Sequence, residues 1–307
     1  MVLCYGGIAL ETVIDLPYQP KPGIAHIICE EHSRLGGGSA HVAEWLSSLG
    51  IPTRLSGYVL GNDPGGDQIW RWLSQYPNLD LSRLQRADEV QTLVSRTIPF
   101  PNGDKYLLCV GYAHVTVTPP APELLEGVEI LEIAFYHRQE RGNAAAAEMA
   151  HLAAARGVKI VAMDVIAPDE FGLPAVDVII NSAASIREEF PAADIRAHTR
   201  ALQARNGGIV IVTDGEHELL AIDRSGAAHT VLPPTVIPTD TTGAGDSFRA
   251  GIIYGLTQGW SLPDSLRWAA AVGALQVQRS LSQDAPPARD KIVALASRIE
   301  IRPVPGL

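Results

Sequence analysis

The feature that most restricts what this chain can fold into is an alternation of two kinds of segment. Short, almost continuously apolar runs at residues 2–4, 53–59, 130–134, 159–164, 176–180 and 208–213 are separated by stretches of helical character. Strands apolar on both faces need cover on both faces, and helical crossovers between parallel strands supply it. The pattern predicts an α/β chain with a mainly parallel sheet between two helical layers, in one domain spanning 1–307. Helices are expected at 39–50, 68–73, 144–156, near 195–204, and then through the last third at 243–258, 262–277 and 288–299.

One stretch breaks the alternation. In VQTLVSRTIPFPNGDKYLLCVG two β-rich runs flank Asn102 and Gly103, a pair that tolerates the positive φ angles of a tight hairpin. This hairpin stands outside the main sheet. With early segments, including a strand expected at 25–29, it predicts a small β lid built from residues near 8–35 and 91–115.

Charge and cysteine usage narrow the function. The formal net charge is -10, with no run of lysines and arginines, which argues against nucleic-acid or anionic-membrane partners and leaves small-molecule chemistry. Cys4, Cys29 and Cys109 lack the spacing of a zinc site or a disulfide framework, so a reducing cytoplasm is expected. The N-terminus has no basic region ahead of an apolar one and is not read as a signal peptide. No apolar run approaches the roughly 20 residues of a membrane helix.

The chemistry concentrates in DTTGAGDSFRAG, Asp240 to Gly251. A helix N-terminus leaves amides unpaired and carries positive dipole, so it holds anions without a basic side chain. Gly243, Ala244 and Gly245 would offer those amides without bulk. The alternative is a merely capped helix start. A capping box, however, needs Ser or Thr three residues before the acid, and Gly243 stands there. The chain has no G-x-x-x-x-G-K-[ST], and GAGDSF lacks the third glycine of a dinucleotide fingerprint.

DTTGAGDSFRAG resembles the C-terminal signature of the ribokinase-like (PfkB) carbohydrate kinases. GGIALE, the Leu35-Gly36-Gly37-Gly38 turn ahead of a helix, and YVLGNDPGGDQI follow in the order of that family. The resemblance implies a three-layer α/β/α ribokinase-like core with a β lid. It implies ATP-dependent phosphorylation of a hydroxyl, a primary alcohol, on a sugar or sugar-like molecule. Asp246 would be the catalytic base, and Gly243, Ala244 and Gly245 the anion hole. Glu11, where the family has aspartate, Gly36, Gly37 and His41, where it has asparagine, would bind the acceptor. Asn181, Thr213, Gly215, Thr242, Gly243 and Gly245 would contact ATP. Asp240 matches a position near a potassium site in some relatives.

The departures lie on the nucleotide side. The family's N-x-x-E, which organises Mg2+ through water, is Asn181-Ser182-Ala183-Ala184 here. Either Glu188 or Glu189 replaces the glutamate, or ATP phosphates and waters hold the ion. Glu218 stands where a glycine is usual, and Ala270 where an asparagine is frequent. Lid residues Arg96 and Lys105, and Asp164 at a strand end, are further candidates. Two other functions stay open: a nucleoside kinase of the same fold, and a non-catalytic sugar- or nucleotide-binding relative. Exposed lid edges suggest a homodimer through the lid.

Overall fold

The computed structural model describes residues 1–16, 18–100, 105–136, 139–166, 171–279 and 285–304. Among them the main sheet is 10-stranded. From one edge, Leu79–Asp80, Thr53–Gly57, Val2–Gly6, Ile130–Ala134, Lys159–Met163, Val178–Ser182 and Ile209–Thr213 run parallel. Leu219–Ile222, Ala228–Val231 and Ile301–Val304 extend the sheet antiparallel.

The helices are α1 (Gly38–Ser48), α2 (Pro64–Leu73), α3 (Glu140–Ala154), α4 (Ala183–Glu189), α5 (Ile195–Asn206), α6 (Ala244–Thr257), α7 (Leu262–Gln276) and α8 (Arg289–Ala296). Strand residues alternate between two cores because successive side chains point to opposite faces. Val2, Cys4, Val161, Val178 and Ile211 join the core under α1, α6 and α7. Leu3, Tyr5, Ile160, Ile179 and Val210 join the core under α3 and α5. This double burial is the reason the strands read as unbroken apolar runs, each fully buried leucine or isoleucine adding about 1.5–3 kcal/mol.

A second sheet of four strands, in the order Glu30–Gly36, Ala9–Asp15, Val94–Pro99 and Lys105–Val110, grows from the carboxyl end of Val2–Gly6. The strands Val94–Pro99 and Lys105–Val110 pair antiparallel as the hairpin expectation required, although its Asn102-Gly103 turn lies outside the described residues. The return from this sheet to the core is made at Gly37. Its φ of 94° and the approach of Gly7 O, 2.4 Å from where a Cβ would stand, leave room only for glycine.

Three expectations need correction. Residues 25–29 form no strand; the apolar run there is exposed, Ile27 at 83%, and pairing with Ala9–Asp15 begins only at Glu30. The helix expected at 68–73 starts earlier: Pro64, Gly65 and Gly66 form the first turn of α2, since Asp63 caps it through Gly66 N at 2.8 Å and proline suits the first helical position. The last third is not wholly helical: the strand Ile301–Val304 closes it. Short four-residue strands carry too little pattern to be seen beside long helices. The exclusion of a dinucleotide fold gains a second ground in α6 being followed directly by α7.

Candidate active site

Parallel strands present their carboxyl ends, and the N-termini of the helices that follow, to one side of the sheet. There the chain brings together Gly6 and Gly7, Tyr136, Asp164, Asn181, Thr213 and the starts of α1 and α6. Gly243 turns the chain into α6 with φ 75°, an angle that favours glycine. Among the described residues the amides of Gly243, Gly245 and Asp246 have no hydrogen-bond acceptor, and that of Ala244 makes only a long 3.4 Å bond to Thr241 O. The loop before them is fixed on both sides. Asp240 Oδ1 accepts from Thr242 N at 2.9 Å, and Gln276 Nε2 donates to Thr242 O at 3.2 Å. The result is a rigid cluster of free donors at the positive end of a helix.

Asp246 stands in the first turn of α6, its side chain 20% exposed. Arg249 Nη2 donates to its Oδ1 at 2.9 Å. On the other side the guanidinium forms an ion pair with Glu132 at 2.8 Å, both side chains being 0% exposed. Burial works against the Arg249 charge, but Glu132 and Asp246 outweigh it and raise its pKa further. Glu132 itself is raised above the usual carboxylate range by burial, with Arg249 opposing. The chain Glu132–Arg249–Asp246 thus fixes one oxygen of Asp246 and leaves Oδ2 without a partner among the described residues.

Gly38, at the start of α1, packs against this group. A Cβ there would lie 2.7 Å from Tyr136 Oη, 2.9 Å from Asp246 Oδ1 and 3.0 Å from Arg249 Nη2. Gly38→Ala should therefore displace the carboxylate while favouring the helix itself. The expected result is a kcat about 100-fold lower with stability retained, read from steady-state kinetics and urea unfolding. An unchanged kcat would mean that the position of Asp246 is immaterial.

The acceptor candidates take unexpected partners. Glu11 is 3% exposed, and Arg34 engages both its oxygens, Nε at 3.1 Å and Nη2 at 2.9 Å, while Thr97 Oγ1 adds a bond of 2.7 Å. Burial is outweighed by these donors, which hold the carboxyl below its usual range. Arg34 Nη1 reaches on to Asp240 Oδ2. Glu11 therefore shapes the pocket through Arg34, and Arg34 is the side chain that lines it. Gly36 lies against Glu11, where a Cβ on residue 36 would come within 3.0 Å of Glu11 Cβ. His41 is not a surface histidine: its side chain is 12% exposed, and Nδ1 is 3.8 Å from Glu44 Oε2. Burial would lower its pKa, but Glu44, Asp246 and Glu11 together raise it. Lys105 Nζ donates to Thr242 Oγ1 at 2.9 Å, so the second sheet touches the loop ahead of α6; Arg96 is exposed.

Of the residues expected to contact the nucleotide, Asn181 is buried, its Nδ2 bonded to Val165 O at 2.9 Å and its Oδ1 left without a partner among the described residues. Asp164 has φ 59°, a conformation that costs a non-glycine residue about 1–3 kcal/mol. Its Oδ1 is also buried and unpartnered. Burial, with help from Asp246, pushes its pKa up to about 6 against the pull of Arg249. Thr213 ends its strand opposite Ser182, with its Oγ1 3.4 Å from Asn181 O, and Gly215 turns the next loop with φ 60°. Glu188 and Glu189 are exposed at the far end of α4, Glu218 pairs with Arg196 at 3.6 Å, and Ala270 is core.

Sequence reasoning missed Arg249, Glu132, Arg34 and Tyr136. The available signals were an arginine in the apolar run SFRAGII and a glutamate within ILEIA, each a charge that burial would force into a pair.

Residues 1–289 match the model of the pfkB family carbohydrate kinases. Among curated proteins, an acarbose 7(IV)-phosphotransferase of Actinoplanes sp. is 23% identical over 299 residues, covering 89% of this chain and 90% of that protein. A 5-dehydro-2-deoxygluconokinase of Geobacillus thermodenitrificans is 32% identical over 94 residues, 30% of this chain and 27% of the relative's own length. Among solved structures, the Arabidopsis thaliana ribokinase complexed with ribose and ATP superposes with a TM-score of 0.77 at 20% identity, covering 96% of this chain and 98% of that one.

Proposed function

Because the chain belongs to the pfkB family carbohydrate kinases, we propose that it transfers the γ-phosphoryl group of ATP to a hydroxyl, a primary alcohol, of a sugar or sugar-like acceptor. The observation that carries the reading is the unpartnered Oδ2 of Asp246 beside the free amides of Gly243, Gly245 and its own backbone. The acceptor oxygen attacks phosphorus as its proton passes to Asp246 Oδ2, and the bond to ADP breaks. In a loose transfer the proton leaves late, so orientation counts for more than basicity. The amides meet the charge of the phosphoryl oxygens without reorganising. Arg249 keeps Oδ1 occupied, so that Oδ2 is the atom left for the acceptor.

ATP is placed against Thr213, Gly215, Asn181 and Thr242. Mg2+, carried by the nucleotide, would neutralise its phosphates. The buried, unpartnered oxygens of Asp164 and Asn181 are hard donors that fit the waters of such an ion, and they take the part expected of Glu188 or Glu189. A monovalent cation fits Asp240 poorly, since Arg34 and Thr242 N already hold its two oxygens. The small sheet acts as the lid that excludes water. Its outer strand Lys105–Val110, exposed throughout, is the surface through which two copies would pair. The cytoplasm is the proposed site of action.

The test is ADP production over a panel of sugars, sugar acids, sugar phosphates and nucleosides. At least one sugar-like acceptor should raise turnover 100-fold or more over ATP alone, and EDTA should abolish it. Nucleotide binding with no acceptor-dependent turnover would overturn the reading.

A further inference from the structure

The cavity beside the anion hole, about 160 Å³, is walled by Arg34, His41 and Gln276 and runs away from Asp246 towards Glu44, Arg279 and Trp72. A second, shallower cavity of about 370 Å³ lies between α2 and the small sheet and is bordered by Leu10, Ser33, Gly65, Gln68 and, again, Trp72. The two share Trp72 as their common wall. The first cavity reaches the loop ahead of the anion hole at Thr242, and with the second cavity across Trp72 the space beside the proposed site is longer than one sugar ring requires.

The chain has five tryptophans. Trp45 lies under the Arg279 guanidinium and Trp70 under that of Arg86. Trp260 and Trp268 pack on Tyr254 and on each other. Trp72 alone has no aromatic or cationic partner among the described residues. Among the described residues its indole N–H also lacks an acceptor, and the Gln68 amide, one turn earlier on the same face of α2, makes no hydrogen bond. An indole that packs against the core without a ring or cation partner, and an amide without a hydrogen bond, thus stand side by side at the wall shared by the two cavities. Such a pair matches a polyhydroxylated ring, whose C–H face packs on the indole while its hydroxyls reach the amide and the N–H. A planar base would gain most from a second aromatic beside Trp72; in the cavity between α2 and the small sheet the other lining residues are Leu10, Ser33, Pro64, Gly65 and Gln68.

We propose that this face of α2 is a second subsite, which binds a further sugar ring, so that the acceptor is a glycoside of disaccharide size. The inference rests on the kinase reading above. His41 and Arg34 hold the ring that receives phosphate, and Trp72 and Gln68 hold the ring attached to it.

The experiment compares kcat/KM with ATP for glucose, fructose and galactose against maltose, sucrose and lactose, in the wild type, Trp72→Ala and Gln68→Ala. Binding of the same sugars to Asp246→Asn is measured by calorimetry, with and without Trp72→Ala. At least one disaccharide should exceed its constituent monosaccharides by 10-fold or more in kcat/KM. Trp72→Ala should cut its kcat/KM at least 10-fold more than that of the monosaccharides, and the surface change Gln68→Ala should act in the same sense by 3-fold or more. Disaccharide binding that depends on Trp72, without transfer to any acceptor, would uphold the subsite and overturn the kinase reading. Transfer to monosaccharides in preference to disaccharides, an equal loss on both, a loss confined to nucleosides, or no disaccharide binding would each overturn the subsite.

Discussion

Asp246→Asn is expected to lower kcat by 1,000-fold or more while leaving the dissociation constant for ADP within about 3-fold of the wild type. Asparagine has the size of aspartate, and its carbonyl oxygen can still accept from Arg249 Nη2, which bonds Oδ1 at 2.9 Å. The side chain should stay where it is. What disappears is the proton acceptor, an effect worth about 10²–10⁴-fold in rate, together with the charge that orients the acceptor hydroxyl. The backbone amides of Gly243, Gly245 and residue 246 are untouched, so nucleotide binding should persist. Steady-state kinetics and calorimetry with ADP separate the two. A fall in nucleotide affinity that matched the fall in kcat would show that Asp246 serves binding, and transfer at the wild-type rate would remove it from the chemistry.

Arg249→Met should be the most damaging single change to stability, at about 3–5 kcal/mol, because it strands Glu132 as an unpaired acid in a wall that is 0% exposed. It should also lower kcat, since Asp246 loses the group that fixes Oδ1. The two effects are separable. Pairing Arg249→Met with Glu132→Leu removes both buried charges and should recover most of the lost stability, a strongly non-additive cycle in urea unfolding. Activity should not recover with it. Additive losses would mean that Glu132 and Arg249 do not act as a pair, and full activity in the double variant would mean that Asp246 needs no support.

The layers of the fold were legible because double burial writes itself into the sequence as unbroken apolar runs: Ile130–Ala134 begins and ends where the pattern places it. Elements held by edge pairing alone left little trace. Leu219–Ile222 and Ala228–Val231 are four residues each, and Glu30–Gly36 carries three charged residues and a histidine, so neither pattern nor composition marks them. The site divides the same way. Asp246 and its glycines are contiguous and could be read as a unit. The Arg34 bridge joins Glu11 to Asp240, its reach from Arg34 to Asp240 alone spanning 206 residues, and no local pattern records such a contact. Glu11 therefore read as a hydroxyl acceptor in the sequence, and only its bidentate partner reassigns that surface to a guanidinium.

The most direct measurement is a crystal structure with MgADP, aluminium fluoride and the acceptor found by the panel. The account predicts the planar fluoride complex against the amides of Gly243, Gly245 and Asp246, with the acceptor hydroxyl oxygen within hydrogen-bond distance of Asp246 Oδ2 and Arg249 still on Oδ1. A fluoride complex bound away from the start of α6, or an acceptor hydroxyl facing any group other than Asp246, would contradict it.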